Sequence, residues 1–85
     1  MLQQHTWFIT GTSRGLGNSL ARQALARGDK VAGTARAIKS LEELAAQYPD
    51  TFLALELDIT DAHKRESALK QAQTAFGRID ILVNN

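Results

Sequence analysis

The sequence predicts an open α/β fold in which parallel strands alternate with helices. Short apolar runs rich in β-branched and aromatic residues alternate with longer stretches whose apolar residues recur every three or four positions. The connections between them are short, and glycine marks several of the turns. The resulting order, β-α-β-α-β-α-β, predicts a parallel sheet joined by right-handed helical crossovers.

The first strand is predicted over Thr6–Thr10, a short apolar run typical of a strand covered on both faces. An amphipathic helix follows over Leu16–Arg27, and Gly28 can end it in a left-handed conformation. The second strand is predicted over Lys30–Ala35. Its pattern is weaker, because Gly33 and two alanines have low β propensity.

The second helix is predicted to begin with a capping box formed by Ser40 and Glu43. In such a box each side chain accepts a hydrogen bond from the backbone amide of the other residue. Pro49 ends this helix, because proline disfavours helical geometry in the residue before it. The third strand is predicted over Thr51–Leu57.

The third helix and the fourth strand complete the alternation. Asp61 can cap the helix and Gly77 can end it, and Ile79–Val83 supplies the fourth strand. If these four strands form a dinucleotide-binding half-fold with right-handed crossovers, their spatial order is 3-2-1-4.

Composition confines the chain to one small domain, residues 1–85, and excludes several classes of function. Ten lysines and arginines against nine acidic residues leave a net charge of +1, without the basic excess of a nucleic-acid or membrane-surface binder. The absence of cysteine excludes disulfides and thiolate metal sites, and two histidines are too few for a zinc cluster. Residues 1–5 lack the pattern of a leader, and no run reaches the ~20 apolar residues of a membrane span. We therefore expect a cytoplasmic protein with no metal, nucleic acid or membrane as its partner.

Three glycines, Gly11, Gly15 and Gly17, lie between the first strand and the first helix. In a dinucleotide-binding loop the first permits a tight turn, the second lets backbone approach a pyrophosphate, and the third lets the helix pack closely. The free amides at the helix start then face the phosphates. Glycine also collects in turns for conformational reasons alone, and Ser13 could simply cap the helix. The position after a buried strand and before a helix favours phosphate binding.

Three motifs, in this order, resemble the cofactor half of the short-chain dehydrogenase/reductases. They are Thr10-Gly11-x-x-x-Gly15-x-Gly17, Leu57-Asp58-Ile59-Thr60 and Gly77-Arg78-Ile79-Asp80-Ile81-Leu82-Val83-Asn84-Asn85. The resemblance covers essentially the whole chain. It implies a Rossmann-type doubly wound parallel sheet, of which this chain forms the first half only. It also implies an oxidoreductase that moves a hydride between NAD(P) and an alcohol or carbonyl carbon.

The resemblance implies roles for residues of the glycine loop. Gly11, Gly15, Leu16 and Gly17 are expected to line the pyrophosphate of the cofactor through backbone and open space. Ser13 is expected to meet the adenosine ribose. These five residues form the phosphate side of the implied binding site.

The resemblance also implies an adenosine side of the site. Asp58 is expected to accept a hydrogen bond from the adenine amino group, with the Ile59 amide beside it, and Asn85 to lie along the adenosine side of the cleft. From the residues alone an alternative stays open, in which Asp58 forms a turn with the backbone of Thr60.

The residue at the end of the second strand favours NADP over NAD as the cofactor. A carboxylate about 20 residues beyond the glycines holds the ribose 2'-hydroxyl of NAD and repels a 2'-phosphate. This chain instead has Arg36, 19 residues after Gly17, and its guanidinium suits bidentate phosphate contact. Arg14, in the glycine loop, can approach the same phosphate from the other side. The alternative is that both arginines are ordinary solvated cations.

The family's catalytic pair, a tyrosine followed four residues later by a lysine, is absent from this sequence. Its single tyrosine, Tyr48, has Phe52 at that spacing. We therefore expect no catalytic residue here, and an alcohol or carbonyl substrate only with a missing C-terminal half. The sequence stops at Asn85, where the family usually continues, so we expect a truncated and inactive fragment. Its exposed fourth strand predicts poor stability or self-association.

Three functions stay open on the sequence alone. The favoured one is the cofactor-binding half of an NADP-dependent short-chain oxidoreductase. The others are a non-catalytic dinucleotide-binding or sensing module, and a Rossmann-like interaction domain that binds no nucleotide. A downstream Tyr-x-x-x-Lys would separate the first from the second, and an NADPH titration would separate both from the third.

Overall fold

The computed structural model describes residues 3–85; Met1 and Leu2, on which the expectation of no leader partly rests, lie outside the described residues. Within this part of the chain, four strands alternate with three α-helices and one 3₁₀ helix, in the predicted order. None of the helices in residues 3–85 has the length and apolar character needed to cross a membrane. The elements are β1 (Thr6–Ile9), α1 (Gly15–Ala26), β2 (Lys30–Ala35), the 3₁₀ helix (Ile38–Leu41), α2 (Glu42–Gln47), β3 (Phe52–Glu56), α3 (Ala62–Phe76) and β4 (Ile81–Val83).

The four strands form one parallel sheet in the order β3-β2-β1-β4, which confirms the predicted order 3-2-1-4. In β1, Trp7 pairs with Val31 of β2 on one side and with Ile81 of β4 on the other. Val31 pairs in turn with Phe52 of β3. Because all the strands run in the same direction, their carboxyl ends lie at one edge of the sheet, which is where open α/β folds bind ligands.

Apolar side chains cover both faces of this sheet. Successive residues of a strand point to opposite faces, and Phe8 and Ile9 accordingly belong to different cores. Both are buried, which confirms that β1 is covered on both faces. Phe8 packs on the α3 side, with Ala68 and Ala72. The core on the side of α1 and α2 consists of Ile9, Ala21, Ala24, Leu25, Val31, Ala35, Leu41, Leu44 and Phe52.

The predicted helix ends are confirmed at three positions. Gly28, after α1, has φ 96°, and Gly77, after α3, has φ 88°, both in the left-handed region. Asp61 caps α3, since its Oδ1 accepts a hydrogen bond from the Lys64 amide at 3.1 Å. These local signals therefore set where the two longer helices begin or end.

The capping box predicted for α2 at Ser40 and Glu43 is wrong. Ser40 lies in the 3₁₀ helix, and its Oγ donates to the Ala37 carbonyl at 2.6 Å. The N-cap residue of α2 is Leu41, which makes no side-chain cap hydrogen bond. The physical reason is burial. The tight turn carries Leu41, 1% exposed, into the core, which leaves Ser40 one residue too early to cap.

The strands β3 and β4 are shorter than the predicted runs 51–57 and 79–83. Hydrogen bonding nevertheless continues beyond them. The Leu57 amide donates to a β2 carbonyl at 2.9 Å, and the Asp80 amide donates to a β1 carbonyl at 2.8 Å. The backbone groups next to the strand ends are therefore paired although the ladders have ended.

A buried carboxylate, Asp29, ties the turn before β2 to the amino end of β1. It is 2% exposed, and its Oδ1 accepts from the His5 amide at 3.0 Å while its Oδ2 accepts from Trp7 Nε1 at 2.9 Å. Arg27 Nε lies 3.7 Å from the same Oδ2. Burial by itself raises the pKa of Asp29, but the two hydrogen bonds and the charge of Arg27 outweigh it. The pKa of Asp29 therefore lies below its ordinary value.

Asp29→Asn is expected to destabilise the chain at neutral pH and to matter much less in acid. An asparagine side chain has one acceptor oxygen, so one of the two donors loses its partner, at a cost of about 1–3 kcal/mol. Because the folded-state pKa of Asp29 lies below the unfolded value, the carboxylate stabilises the fold above the unfolded pKa. That contribution is lost as the pH falls through the folded pKa.

Thermal unfolding of both proteins between about pH 7 and about pH 3 measures this effect. The difference in Tm between wild type and variant should shrink on acidification. A difference of the same size at both ends of the range contradicts the role given to Asp29.

Candidate functional site

The candidate site lies at the carboxyl edge of the sheet, in the loop that joins β1 to α1. Two of its glycines adopt backbone conformations that other residues rarely adopt, Gly11 with φ 66° and Gly15 with φ 67°. Gly11 turns the chain out of β1, and Gly15 is the first residue of α1. The segment is therefore a tight bend that feeds a helix.

The end of β2 holds this loop in place through Thr34. The Thr34 carbonyl accepts hydrogen bonds from the amide and the hydroxyl of Thr12, at 2.8 and 3.1 Å. The Thr34 hydroxyl accepts a hydrogen bond from the Gly11 amide at 3.3 Å. Thr12 and Thr34 are fully buried. Beside them, a Cβ on Gly33 would lie 2.6 Å from Thr12 Oγ1 and 2.8 Å from the ring of Phe52. Gly33 therefore does more than weaken a strand, because it lets the loop approach the sheet.

Two asparagines hold the loop from other directions. Asn85, after β4, donates its backbone amide to Thr10 Oγ1 at 2.9 Å and its side-chain amide to the Gly11 carbonyl at 3.1 Å. Asn18, in α1, donates its side-chain amide to the Thr12 carbonyl at 3.0 Å. Carbonyl groups of the loop are therefore paired with donors from the protein itself.

Gly17 is the point of closest contact between α1 and the loop. A Cβ at this position would lie 2.2 Å from the Gly11 carbonyl oxygen and 2.6 Å from Asn85 Nδ2. A Cβ on Gly15, by contrast, would meet nothing within 4 Å. The two glycines thus have different structural roles. Gly17 allows close packing, whereas Gly15 leaves open space beside the helix start.

The start of α1 presents backbone amides that no side chain in residues 3–85 caps. Its N-cap residue, Arg14, makes no side-chain cap hydrogen bond, and its first turn contains no acidic residue. The alternative that Ser13 caps this helix is therefore wrong. The amides of the first turn have no acceptor within the helix, and they carry the positive end of its dipole. The helix start can receive an anion.

A cleft of about 490 Å³ opens beside the loop at the carboxyl ends of the strands. A cavity of this volume can take a substantial part of a small-molecule ligand. Arg14 and Arg36 line it, no carboxylate does, and neither arginine forms a salt bridge within residues 3–85. The predicted site residues that the fold brings together here are Gly11, Ser13, Arg14, Arg36, Ile59 and Asn85.

The other four predicted site residues do not line this cleft. Gly15, Leu16 and Gly17 form the first turn of α1, where Leu16 is 66% exposed and Gly17 is buried. Asp58 lines a neighbouring cavity of about 350 Å³. Arg36 and Leu57 line both cavities, so the two cavities adjoin where β2 and β3 end.

Asp58 forms the turn that the sequence leaves open as an alternative. Its Oδ1 accepts from the Thr60 amide at 3.0 Å and from the Thr60 hydroxyl at 2.7 Å. These bonds, which outweigh the effect of burial, act with the charges of Arg36 and Lys64 to hold the pKa of Asp58 below its ordinary value. At neutral pH Asp58 is therefore ionised and can only accept hydrogen bonds. The turn uses Oδ1, and Oδ2 makes no hydrogen bond within residues 3–85.

Several residues that shape the site carry no clear signal in the sequence. Thr12 and Thr34 follow or end neighbouring strands, and only the pairing of β1 with β2 brings them together. Asn18 lies on α1 among polar residues. The capping-box pattern of Ser40 conceals its place in the cleft, which it lines together with Leu57.

A central β1, a glycine bend that feeds an uncapped helix start, and a cleft at the carboxyl ends of the strands together define a Rossmann-type nucleotide-binding fold. Within that class, the chain belongs to the short-chain dehydrogenase family, whose family model matches residues 5–85. The family consists of oxidoreductases that bind NAD(P)(H).

The chain is also similar to individual members of this family. It is 42% identical over 80 residues to the oxidoreductase BOA17 of Botryotinia fuckeliana, an alignment that covers 93% of this chain and 29% of that protein. It is 44% identical over 80 residues to a serine 3-dehydrogenase of Agrobacterium fabrum, which covers 94% of this chain and 32% of that protein. The chain thus spans about a third of the length of the curated relatives that it matches.

Solved structures give the same result. A short-chain dehydrogenase from Streptomyces avermitilis matches with a TM-score of 0.93 and 41% identity, covering 98% of this chain and 31% of that one. A 3-ketoacyl-(acyl-carrier-protein) reductase from Brucella melitensis, complexed with NADH, matches with a TM-score of 0.88 and 30% identity over 96% of this chain and 34% of that one. An NADPH-dependent reductase involved in bacilysin biosynthesis matches with a TM-score of 0.86 and 25% identity. This match covers 98% of this chain and 37% of that one.

Gly17→Ala is expected to destabilise the chain more than Gly15→Ala does. At Gly17 the new methyl group overlaps a backbone oxygen, so helix and loop must separate, and the cost falls at the upper end of the about 1–3 kcal/mol that overpacking produces. At Gly15 the methyl group has no neighbour within 4 Å, and only the left-handed conformation costs energy, about 1–2 kcal/mol. Urea titrations of both variants against wild type measure the difference. Equal losses, or a larger loss at Gly15, contradict the close contact at Gly17.

Proposed function

We propose that this chain is the NADP-binding half of a short-chain oxidoreductase that transfers a hydride between NADP(H) and an alcohol or carbonyl compound. The main support for NADP is that Arg14 and Arg36 line the cleft, whereas no carboxylate of residues 3–85 lines it. Arg36 is the residue directly after β2, the place where a carboxylate would bind the ribose hydroxyl of NAD and repel a 2'-phosphate. Two guanidinium groups there instead favour a phosphate.

The pyrophosphate is assigned to the loop and the first turn of α1. The uncapped amides of this turn supply donors, and the open space beside Gly15 lets backbone and phosphate come close. Gly11 and Gly17 hold the bend, and Leu16 lies at the exposed start of the helix. The donor set and the space thus fit a diphosphate group.

The adenosine is assigned to the ends of β3 and β4. Asp58 is ionised and has Oδ2 unused within residues 3–85, which suits acceptance from an adenine amino group. Ile59 lines the cleft next to it. Ser13 and Asn85 line the same cleft, and we assign Ser13 to the ribose and Asn85 to the adenosine side.

The chain's own part in the reaction is to bind and orient the cofactor. When bound, NADP(H) supplies the hydride chemistry. No Tyr-x-x-x-Lys occurs in the sequence. Tyr48 lies at the end of α2 and packs against the core, and it does not line the cleft. We therefore assign no proton transfer to these residues, and propose that the acid-base groups and the substrate pocket are supplied by other residues of a longer protein.

Arg36→Asp is expected to reverse the preference between the two cofactors. The variant loses charge-assisted hydrogen bonds to the 2'-phosphate and gains a repulsive charge, so NADPH binding should weaken by about tenfold to a hundredfold. NADH binding should change little or improve, because a carboxylate can accept from the ribose 2'-hydroxyl. Fluorescence titrations with NADPH and NADH measure both affinities.

Lys70→Asp is the matched control, because it makes the same charge reversal on an exposed position of α3 that does not line the cleft. Its ratio of NADPH to NADH affinity should equal that of wild type. If Arg36→Asp leaves this ratio unchanged as well, the assignment of NADP is wrong.

The edge of β4 supports a further proposal, that the 85-residue chain associates with itself. Within residues 3–85, β4 pairs with β1 only, and Leu82 in this strand is 60% exposed. An unpaired strand edge beside an exposed apolar side chain readily pairs with another strand.

Leu82→Lys is expected to reduce this association, because a charged side chain on an edge strand opposes pairing. Sedimentation velocity over a range of concentrations measures it, and wild type should sediment faster as the concentration rises. The control is Leu16→Lys, which replaces another exposed leucine, 66% exposed, on α1 and not on the edge strand. A wild-type chain that is monomeric at every concentration contradicts the proposal.

A further inference from the structure

We propose that Ser40 is a specificity-determining residue whose hydroxyl binds the 2'-phosphate of the ligand together with Arg14 and Arg36. This inference rests on the proposed function, since it adds a contact at the same cleft. Ser40 lines the same cleft as the two arginines. It lies four residues after Arg36 in the sequence, in the 3₁₀ helix that follows β2. A hydroxyl and two guanidinium groups together form a donor set suited to a phosphate.

The 3₁₀ helix holds Ser40 at the cleft for a reason unrelated to capping. The next residue, Leu41, is 1% exposed and belongs to the core against α1 and α2, which anchors the turn. Leu41, not Ser40, is the N-cap residue of α2. The Ser40 side chain is therefore not needed to satisfy the amides of that helix, although its sequence pattern predicts that role.

The Ser40 hydroxyl can turn from the protein to a ligand without leaving a carbonyl unpaired. Its Oγ donates to the Ala37 carbonyl at 2.6 Å, and the Ser40 amide donates to the same carbonyl at 3.0 Å. When the hydroxyl rotates towards a phosphate oxygen, the carbonyl keeps the amide as its donor. The exchange therefore costs little. The new acceptor is charged, so the new hydrogen bond is the stronger one.

The same exchange makes the contact selective. A ligand without a 2'-phosphate offers no charged acceptor at this place, and the hydroxyl keeps its bond to the Ala37 carbonyl. Ser40 should therefore contribute to the binding of a phosphorylated ribose and not to the binding of the rest of the nucleotide.

Isothermal titration of the chain with adenosine 2',5'-bisphosphate and with adenosine 5'-monophosphate tests this selectivity. Ser40→Ala should weaken the binding of the bisphosphate by about tenfold and leave that of the monophosphate unchanged. Ser40→Thr keeps the hydroxyl and should restore most of the bisphosphate affinity. Ser19→Ala is the control, because Ser19 is an exposed serine of α1 outside the cleft, and it should change neither affinity.

The outcomes separate this inference from the proposed function. If wild type prefers the bisphosphate but Ser40→Ala weakens both ligands equally or neither, the role of Ser40 is wrong and the proposed NADP site stands. Equal affinities of Ser40→Thr and Ser40→Ala for the bisphosphate also overturn it. If wild type shows no preference for the bisphosphate, or binds neither ligand, both proposals fail.

Discussion

The site depends on how closely the loop after β1 is held against its neighbours. Gly17 and Gly33 are the positions where a Cβ would collide, with the Gly11 carbonyl and with the Thr12 hydroxyl respectively. Because the chain has no side chain at either place, α1 and β2 close on the loop from two directions. Loop carbonyls are then paired with protein donors, and the amides of the helix start are left without a side-chain cap within residues 3–85. The proposed phosphate site therefore has backbone amides at its centre, and the two arginines line the neighbouring cleft.

Two carboxylates that tie β1 to neighbouring segments, Asp29 and Asp80, lie at the opposite edge of the sheet. At the amino ends of the strands, Asp29 accepts from His5 and Trp7, and Asp80 Oδ2 accepts from the Thr6 amide at 2.8 Å. That hydrogen bond comes first among the causes that hold the pKa of Asp80 below its ordinary value. At the carboxyl edge the loop is fixed by hydroxyl and amide groups, which are neutral. Asp29 and Asp80 are thus kept away from the place where anionic groups are proposed to bind.

The elements and their order were predictable because each depends on residues close together in sequence. The glycines at 28 and 77, the cap at Asp61 and the helical periodicity are local signals of this kind. The bonds between Thr12 and Thr34 join residues 22 positions apart, and only the register of β1 against β2 brings them together. The capping box failed for a related reason, since the burial of Leu41 is a tertiary effect that overrides a good local pattern.

Asp58 can form its turn with Thr60 and still accept a hydrogen bond from a base. The turn with Thr60 uses Oδ1 and comes first among the causes that keep Asp58 ionised, while the charge of Arg36 contributes less. A phosphate that neutralises Arg36 therefore removes only a minor part of what holds Asp58 in its charged form. Asp58 Oδ2 can still accept from a base when a phosphate occupies the arginines. In the proposed site, recognition of the base and choice between the two cofactors are therefore separable, although Arg36 lines both cavities.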